Sequence, residues 1–88
     1  MSEQNEDQLI NIGHDAEKLL NNKAFNNVID GIVQGTFQAF VNSNPEEPEI
    51  RERNYNAYRA VVDIVNTLKQ QVTIKDEIEK RNSRETEE

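Results

Sequence analysis

Apolar residues recur every three or four positions along most of the chain, which is the period of amphipathic α-helices. The first apolar stripe consists of Leu9, Ile12, Ala16, Leu19 and Leu20. Gly13 interrupts this stripe, so we expect a short first helix whose regular part runs from Asp15 to Asn21. The Asn21-Asn22 pair is typical of a site where one helix ends and the next is capped.

A second stripe predicts a helix from about Lys23 to Asn42 with a wide apolar face and a polar back. This segment holds the three phenylalanines, which are three of the five aromatic residues, so it should supply most of the core. The predicted core comprises Leu19, Leu20, Phe25, Ile29, Ile32, Val33, Phe37, Phe40 and Val61.

A loop bounded by two prolines separates the second helix from the third. The acidic residues around it, Glu46, Glu47 and Glu49, suit the positive end of the following helix dipole. The third helix is predicted to be long, from about Pro48 to Asn82. Its apolar residues from Tyr58 to Val72 alternate spacings of three and four, as in a heptad repeat.

These elements fit one domain of residues 8–82, between an acidic tail at 1–7 and a polar tail at 83–88 that we expect to be disordered. The expected fold is all-α: the second helix lies antiparallel to the long third helix in a hairpin, with a short N-terminal helix beside them.

The distal part of the third helix would have no intrachain partner unless the first helix reaches it. The second helix is long enough to cover only the N-terminal half of the third. We therefore expect self-association through Val65, Leu68, Val72 and Ile78. The alternative is a monomer whose C-terminal helix end frays, because an unpaired amphipathic helix is marginal in water.

Gly31 and Gly35 form a small-xxx-small pair inside the second helix. In a membrane such a pair marks a helix dimer face. In this polar chain we expect the glycines to permit close backbone packing or a hinge, at a cost to helix stability of about 1 kcal/mol each.

Composition narrows the classes of function. The 88 residues are 34% hydrophobic and include no cysteine, so the core is small and cannot rely on disulfides or thiolate metal sites. The net charge of −7 lies within residues 1–50, because residues 51–88 carry eight basic and eight acidic side chains. An acidic chain is a poor general ligand for nucleic acid.

No residue set indicates catalysis or a cofactor. His14 is the single histidine, too few for a typical zinc site, and Glu46, Glu47 and Glu49 lack the spacing of a calcium loop. No serine or threonine has a partner base at motif spacing. We expect no catalytic, cofactor or metal site and no small-molecule substrate. The acidic start and the polar interruptions of the most apolar stretch predict a cytoplasmic protein without a membrane span.

A basic and aromatic cluster at the start of the third helix is the candidate partner-binding site: Arg51, Arg53, Tyr55, Tyr58 and Arg59. All of them except Arg53 project from one side of the helix. Arginine with tyrosine suits protein anchoring and base stacking. In the alternative interpretation both tyrosines pack on Phe37 and Phe40, while the arginines pair with Glu47, Glu49 or Asp63.

Two segments resemble a group of short proteins of tailed phages and prophages. The first is residues 16–25, AEKLLNNKAF; the second combines Asn44-Pro45 with Arg51-Glu52 and Tyr55. The group shows an Ala-x-x-Leu-Leu-x-Asn-x-x-Phe motif, an aromatic residue before a proline turn (here Phe40), and Arg-Glu-x-x-Tyr at the start of a long helix. The resemblance covers about residues 16–72 and implies a role in virion assembly or packaging. No functional residue carries over from it.

These observations predict a non-catalytic interaction protein: a phage structural, assembly or DNA-packaging accessory factor that self-associates and docks on a larger protein, in the host cytoplasm or on the virion. A small-terminase-like subunit that binds DNA through Arg51, Arg53 and Arg59 is a special case. The alternative is a phage-encoded inhibitor of a host protein, acting as a DNA mimic through its acidic first half.

Overall fold

The computed structural model describes residues 3–87, which form three α-helices and no strand. The helices are α1 (Glu3–Leu20), α2 (Lys23–Val41) and α3 (Pro48–Glu87). Short turns at Asn21-Asn22 and around Asn44-Pro45 separate them. The all-α helical hairpin that the hydrophobic period predicts is confirmed.

Two boundaries differ from the sequence prediction. α1 has 18 residues and includes residues 3–7, so it begins well before the regular part predicted at Asp15–Asn21. α3 has 40 residues and includes residues 83–87. Met1, Ser2 and Glu88, which belong to the predicted tails, lie outside the described residues. Gly13 does not interrupt α1, and its φ is not positive. An ion pair between Glu6 and Arg81 ties the first turns of α1 to the end of α3.

The chain divides into two compact units. The first contains Met1–Asn22 and Thr67–Glu88, and the second contains Lys23–Asn66. α1 and the C-terminal half of α3 therefore form one unit, and α2 with the N-terminal half of α3 forms the other.

In the first unit, α1 and α3 are antiparallel and approach closely at Gly13. A Cβ built on Gly13 would lie 2.3 Å from Lys75 Cβ and 2.8 Å from the Gln71 carbonyl oxygen, so the contact requires a residue without a side chain. Around it, Ala16 and Ile78 are only 2% and 8% exposed, and Lys75 only 4%. Gly13 and these three residues are all of the buried positions in the part of the chain that the structure describes.

The seam predicted for self-association has a partner within the chain. Ile78 is buried, and Leu68 and Val72 are half-buried in the same unit as α1, while Val65 is half-buried in the second unit. The first helix does reach the distal part of α3, through the close contact at Gly13 and the ion pairs of Glu6 and Glu17. The distal part of this seam is thus covered within the chain at Ile78, and self-association through the four residues stays a prediction.

In the second unit, α2 and α3 form the antiparallel hairpin. Two tilted aromatic pairs join them, with ring centroids 5.7 Å apart for Phe37–Tyr58 and 5.5 Å apart for Phe40–Tyr55. The turn is held by the Asn44 side-chain oxygen, which accepts a 2.9 Å hydrogen bond from the Glu46 backbone N–H. This is the local bonding that favours Asn in turns.

No residue between Lys23 and Asn66 is buried. Of the predicted core, Leu19, Ile32 and Phe37 are exposed, and the remaining six are half-buried: Leu20, Phe25, Ile29, Val33, Phe40 and Val61. The reason is geometric, since two paired helices touch along one line and each covers only a strip of the other. A wide apolar face cannot be buried by a single neighbouring helix.

Replacement of Gly13 should test the close contact directly. Gly13→Ala places a methyl group against the α3 backbone, so we expect it to lower the unfolding free energy by roughly 1–3 kcal/mol. Gly31→Ala is the matched control, because nothing in the chain lies within 4 Å of its added Cβ. The control should stabilise by up to about 1 kcal/mol through helix propensity. Thermal and urea unfolding at low protein concentration compare the two, and equal effects would contradict the contact.

Candidate interaction surface

The basic and aromatic cluster lies on the hairpin of the second unit, where much of it contacts α2. Arg51 donates a 3.2 Å hydrogen bond to the Ser43 carbonyl oxygen, and its guanidinium carbon lies 4.9 Å from the centre of the Phe40 ring. Tyr55 packs on the same ring and Tyr58 packs on Phe37. Arginine above an aromatic face is an attractive cation–π arrangement.

The other arginines of the cluster are on the surface. Arg59 pairs with Asp63 one helical turn later at 3.2 Å, with both side chains about half exposed, so the pair adds little stability. Arg53 is also exposed. Tyr55 keeps 45% of its surface exposed and Phe37 keeps 44%. The cluster thus stabilises the turn through Arg51 and the tyrosine rings, while Arg59, Tyr55 and Phe37 remain accessible on one side of the hairpin.

A second surface of the hairpin, which sequence reasoning missed, is aliphatic. On α2 it is a stripe of exposed apolar and small residues: Ala24, Val28, Gly31, Ile32, Gly35 and Ala39. On α3 it continues as three exposed residues spaced by seven: Ile50, Ala57 and Ile64. We call these nine residues the aliphatic face. Val28 is 62% exposed and Ile64 is 55% exposed, so the face has large unburied side chains.

The two stripes lie on the same side of the hairpin. Successive helical residues turn by about 100°, which puts the three α3 residues and Val28, Ile32 and Ala39 of α2 roughly a quarter-turn from the line of contact between α2 and α3. Ala24, Gly31 and Gly35 lie farther round α2, and Gly31 is nearly opposite α3. Because the helices are antiparallel, a quarter-turn in the same rotational sense on each helix points to the same side of the hairpin. The Asn54 side chain spans the hairpin on that side and donates a 3.2 Å hydrogen bond to the Ala39 carbonyl oxygen. The aromatic pairs and Arg59 lie towards the opposite side.

Gly31 and Gly35 are open positions near the middle of α2, at the outer edge of the aliphatic face. A Cβ on either would meet nothing within 4 Å. The close packing that we expected of this pair is therefore not made inside the chain, in contrast to Gly13. Both glycines lower helix stability without an intrachain benefit.

The strongest electrostatic feature is a cluster around Lys75 in the first unit. The Lys75 ammonium lies 2.8 Å from Asp76, 3.3 Å from Glu17 and 3.6 Å from Glu79. The Asp76 hydrogen bond is the largest influence and raises the pKa of Lys75; burial acts in the opposite direction, and Glu17 adds to the rise. The net pKa is above the ordinary lysine value, so the buried side chain stays charged and links α1 to α3.

Lys75 was not singled out from sequence because it stands in a run of alternating charges. The missed signal is its register, three residues after Val72 and three before Ile78, which places it on the apolar seam. Its aliphatic stem packs against Gly13, and its ammonium reaches out to the carboxylates.

His14 belongs to the same cluster. Its Nε2 lies 3.3 Å from Glu79, and its side chain is about half exposed. Within residues 3–87, no group of three or more histidine, cysteine or carboxylate side chains is arranged to hold a metal ion. Across that same range, no helix is both long enough and apolar enough to span a membrane.

Comparisons with known proteins identified no relative of this chain. No family model matches the chain, and searches of curated proteins and of solved structures found no match.

The Lys75 cluster should make stability fall in alkali. Because the pKa of Lys75 is raised in the folded state, its charged form stabilises the fold. This contribution to the unfolding free energy is complete below the unfolded lysine pKa of about 10.4 and is lost as pH rises through the folded-state pKa. The native chain should therefore lose unfolding free energy relative to Lys75→Met over this range, since methionine keeps the stem without the charge. Urea unfolding of both chains at several pH values measures the difference. A difference that is constant with pH would contradict the raised pKa.

Proposed function

We propose that this chain is a non-catalytic helical interaction protein that self-associates and docks on a larger protein assembly. The observation that carries the proposal is the incomplete core of the second unit. Between Lys23 and Asn66 no residue is buried, while Val28, Ile32, Ile50 and Ile64 are all more than 40% exposed. An apolar surface of this kind, gathered on one side, is typical of a binding site.

The energetics support a need for a partner. Full burial of an aliphatic or aromatic side chain stabilises by about 1.5–3 kcal/mol, whereas ordering the backbone costs about 1–2 kcal/mol per residue. The hairpin orders 44 residues and buries none fully. A pair of helices gains most stability when a further layer of helices covers its apolar side.

The two unlike sides of the hairpin support a division of roles. The aliphatic face suits a permanent contact, because obligate interfaces resemble a domain core cut in half. The opposite side, with Arg59, Tyr55 and the exposed edge of Phe37, has the arginine and aromatic composition of binding hot spots. We assign the docking of the larger protein to that side.

The resemblance to tailed-phage proteins supports virion assembly or DNA packaging as the setting, in the host cytoplasm or on the virion. Inhibition of a host protein by DNA mimicry receives less support. Mimicry needs an array of unengaged carboxylates, whereas Glu6 and Glu17 of the acidic half pair with Arg81 and Lys75.

Self-association is the part of the proposal that can be tested without knowing the partner. We expect light scattering and sedimentation equilibrium to show a discrete oligomer of the purified chain at micromolar concentration, dissociating on dilution. A chain that sediments as a monomer at every concentration would contradict the proposal.

A further inference from the structure

We propose that a second copy of this chain covers the inner part of the aliphatic face, packed antiparallel about a two-fold axis at Ala39 and Ala57, so that two hairpins form a four-helix bundle. The inner part comprises the six residues that lie a quarter-turn from the α2–α3 contact: Val28, Ile32, Ala39, Ile50, Ala57 and Ile64. The inference rests on the proposed self-association and names its surface and geometry.

The two aromatic pairs between α2 and α3 fix which residues of the two helices lie level with one another. This register puts Ala39 level with Ala57, and Ile32 level with Ile64, to within about 1.5 Å, the rise of one residue. Ile50 has no counterpart on α2, because α2 ends before that level. Each copy therefore has two alanines in the middle of the face, two isoleucines at one end, and a single isoleucine at the turn end.

The apolar pattern on α3 is the same in both chain directions. Ile50, Ala57 and Ile64 are spaced by seven residues, so they lie within about 40° of arc on the helix. An antiparallel crossing of two α3 helices centred on Ala57 brings Ile50 of each copy over Ile64 of the other, beside Ile32. Alanine at the crossing lets the backbones approach closely, and the isoleucines fill the space on either side. All neighbouring helices are then antiparallel, as in up-and-down four-helix bundles.

The apolar area of these six residues matches the need of a dimer. The four aliphatic side chains are between 42% and 62% exposed. With the two alanines they present an apolar area on the order of 400 Å². A standard specific interface buries roughly 800 Å² per partner, of which somewhat more than half is apolar. The six residues with a polar rim are thus of the size that one further hairpin covers, and a second copy supplies a hairpin of equal length.

Charge favours the antiparallel arrangement over a parallel one. None of the six residues is ionisable, so the face can meet its own copy without like charges in contact. The turn end of the hairpin carries Glu46, Glu47 and Glu49. A parallel pairing would bring two such turns together. In the antiparallel pairing each turn lies about ten residues from the axis, so the turns are about 30 Å apart, well beyond the screening length of about 8 Å at physiological ionic strength.

Cross-linking tests the axis, since the natural chain has no cysteine. Ala57→Cys puts a thiol at the proposed axis, so we expect this variant to form a disulfide with a second copy of itself on oxidation. In a parallel pairing α3 would lie over α2 of the other copy, and Ala57→Cys would instead link to Ala39→Cys.

Asn56→Cys is the matched control for the cross-link. Asn56 is exposed and points about 100° away from Ala57, so its thiol should link to a second copy only at the level of random collision. Equal yields for Ala57→Cys and Asn56→Cys would overturn the crossing. A higher yield in the mixture of Ala57→Cys with Ala39→Cys than for Ala57→Cys alone would overturn the antiparallel arrangement.

A charge at the axis supplies a second readout that does not depend on oxidation. Ala57→Glu sets two like charges against each other in the dimer, so it should weaken association at least about tenfold in sedimentation equilibrium. Ala57 is exposed and glutamate is a good helix former, so circular dichroism should show that the monomer keeps its helix content. Asn56→Glu adds the same charge on the outer side of α3 and should leave the dissociation constant nearly unchanged.

The outcomes separate this inference from the proposed function. If the natural chain self-associates but Ala57→Glu and Asn56→Glu dissociate alike, the interface lies elsewhere, as on the predicted seam of α3, and only the inference fails. If the natural chain is monomeric at every concentration, both the inference and the proposed self-association fail. If that monomer binds a different protein and Ala57→Glu loses the binding, the occupant of the face is that protein and the inference is overturned.

Discussion

In the part of the chain that the structure describes, the close contact of α1 with α3 at Gly13 is the one place that contains buried residues. Without a side chain at residue 13, the α3 backbone and the stem of Lys75 come within direct packing distance, and Ala16 and Ile78 close around them. The Lys75 ammonium then lies among carboxylates from both helices, so the same contact is apolar inside and charged at its edge. This arrangement is the centre of the first unit, and the Glu6–Arg81 ion pair adds to it.

The second unit contains no comparable buried contact. Its helices are joined by two aromatic pairs, a turn held by Asn44, and Arg51 bonded back to Ser43. These contacts set the antiparallel register, but they cover only one strip of each helix. The aliphatic face is what remains after two helices have paired. The partner that we propose for it would bind through the same hydrophobic driving force that builds a core in a larger domain.

Periodicity was sufficient to predict the three helices, the proline-bounded turn and the antiparallel hairpin, because helix formation and turns are encoded locally. It was not sufficient for Gly13, since a glycine inside a helix has the same sequence signature whether it breaks the helix or admits a neighbour. The same ambiguity applies to Gly31 and Gly35, which only the packing around them separates from Gly13. The exposure of Ile32 and Phe37 could not be predicted either, because an apolar stripe does not indicate how many helices will cover it.

The central claim is that α2 depends on a partner while the Gly13 contact does not. Amide hydrogen exchange measured across a wide range of protein concentration tests it most directly. The account predicts that protection of α2, Lys23–Val41, rises with concentration, while protection around Ala16 and Ile78 stays constant. Protection of α2 that is independent of concentration would contradict it.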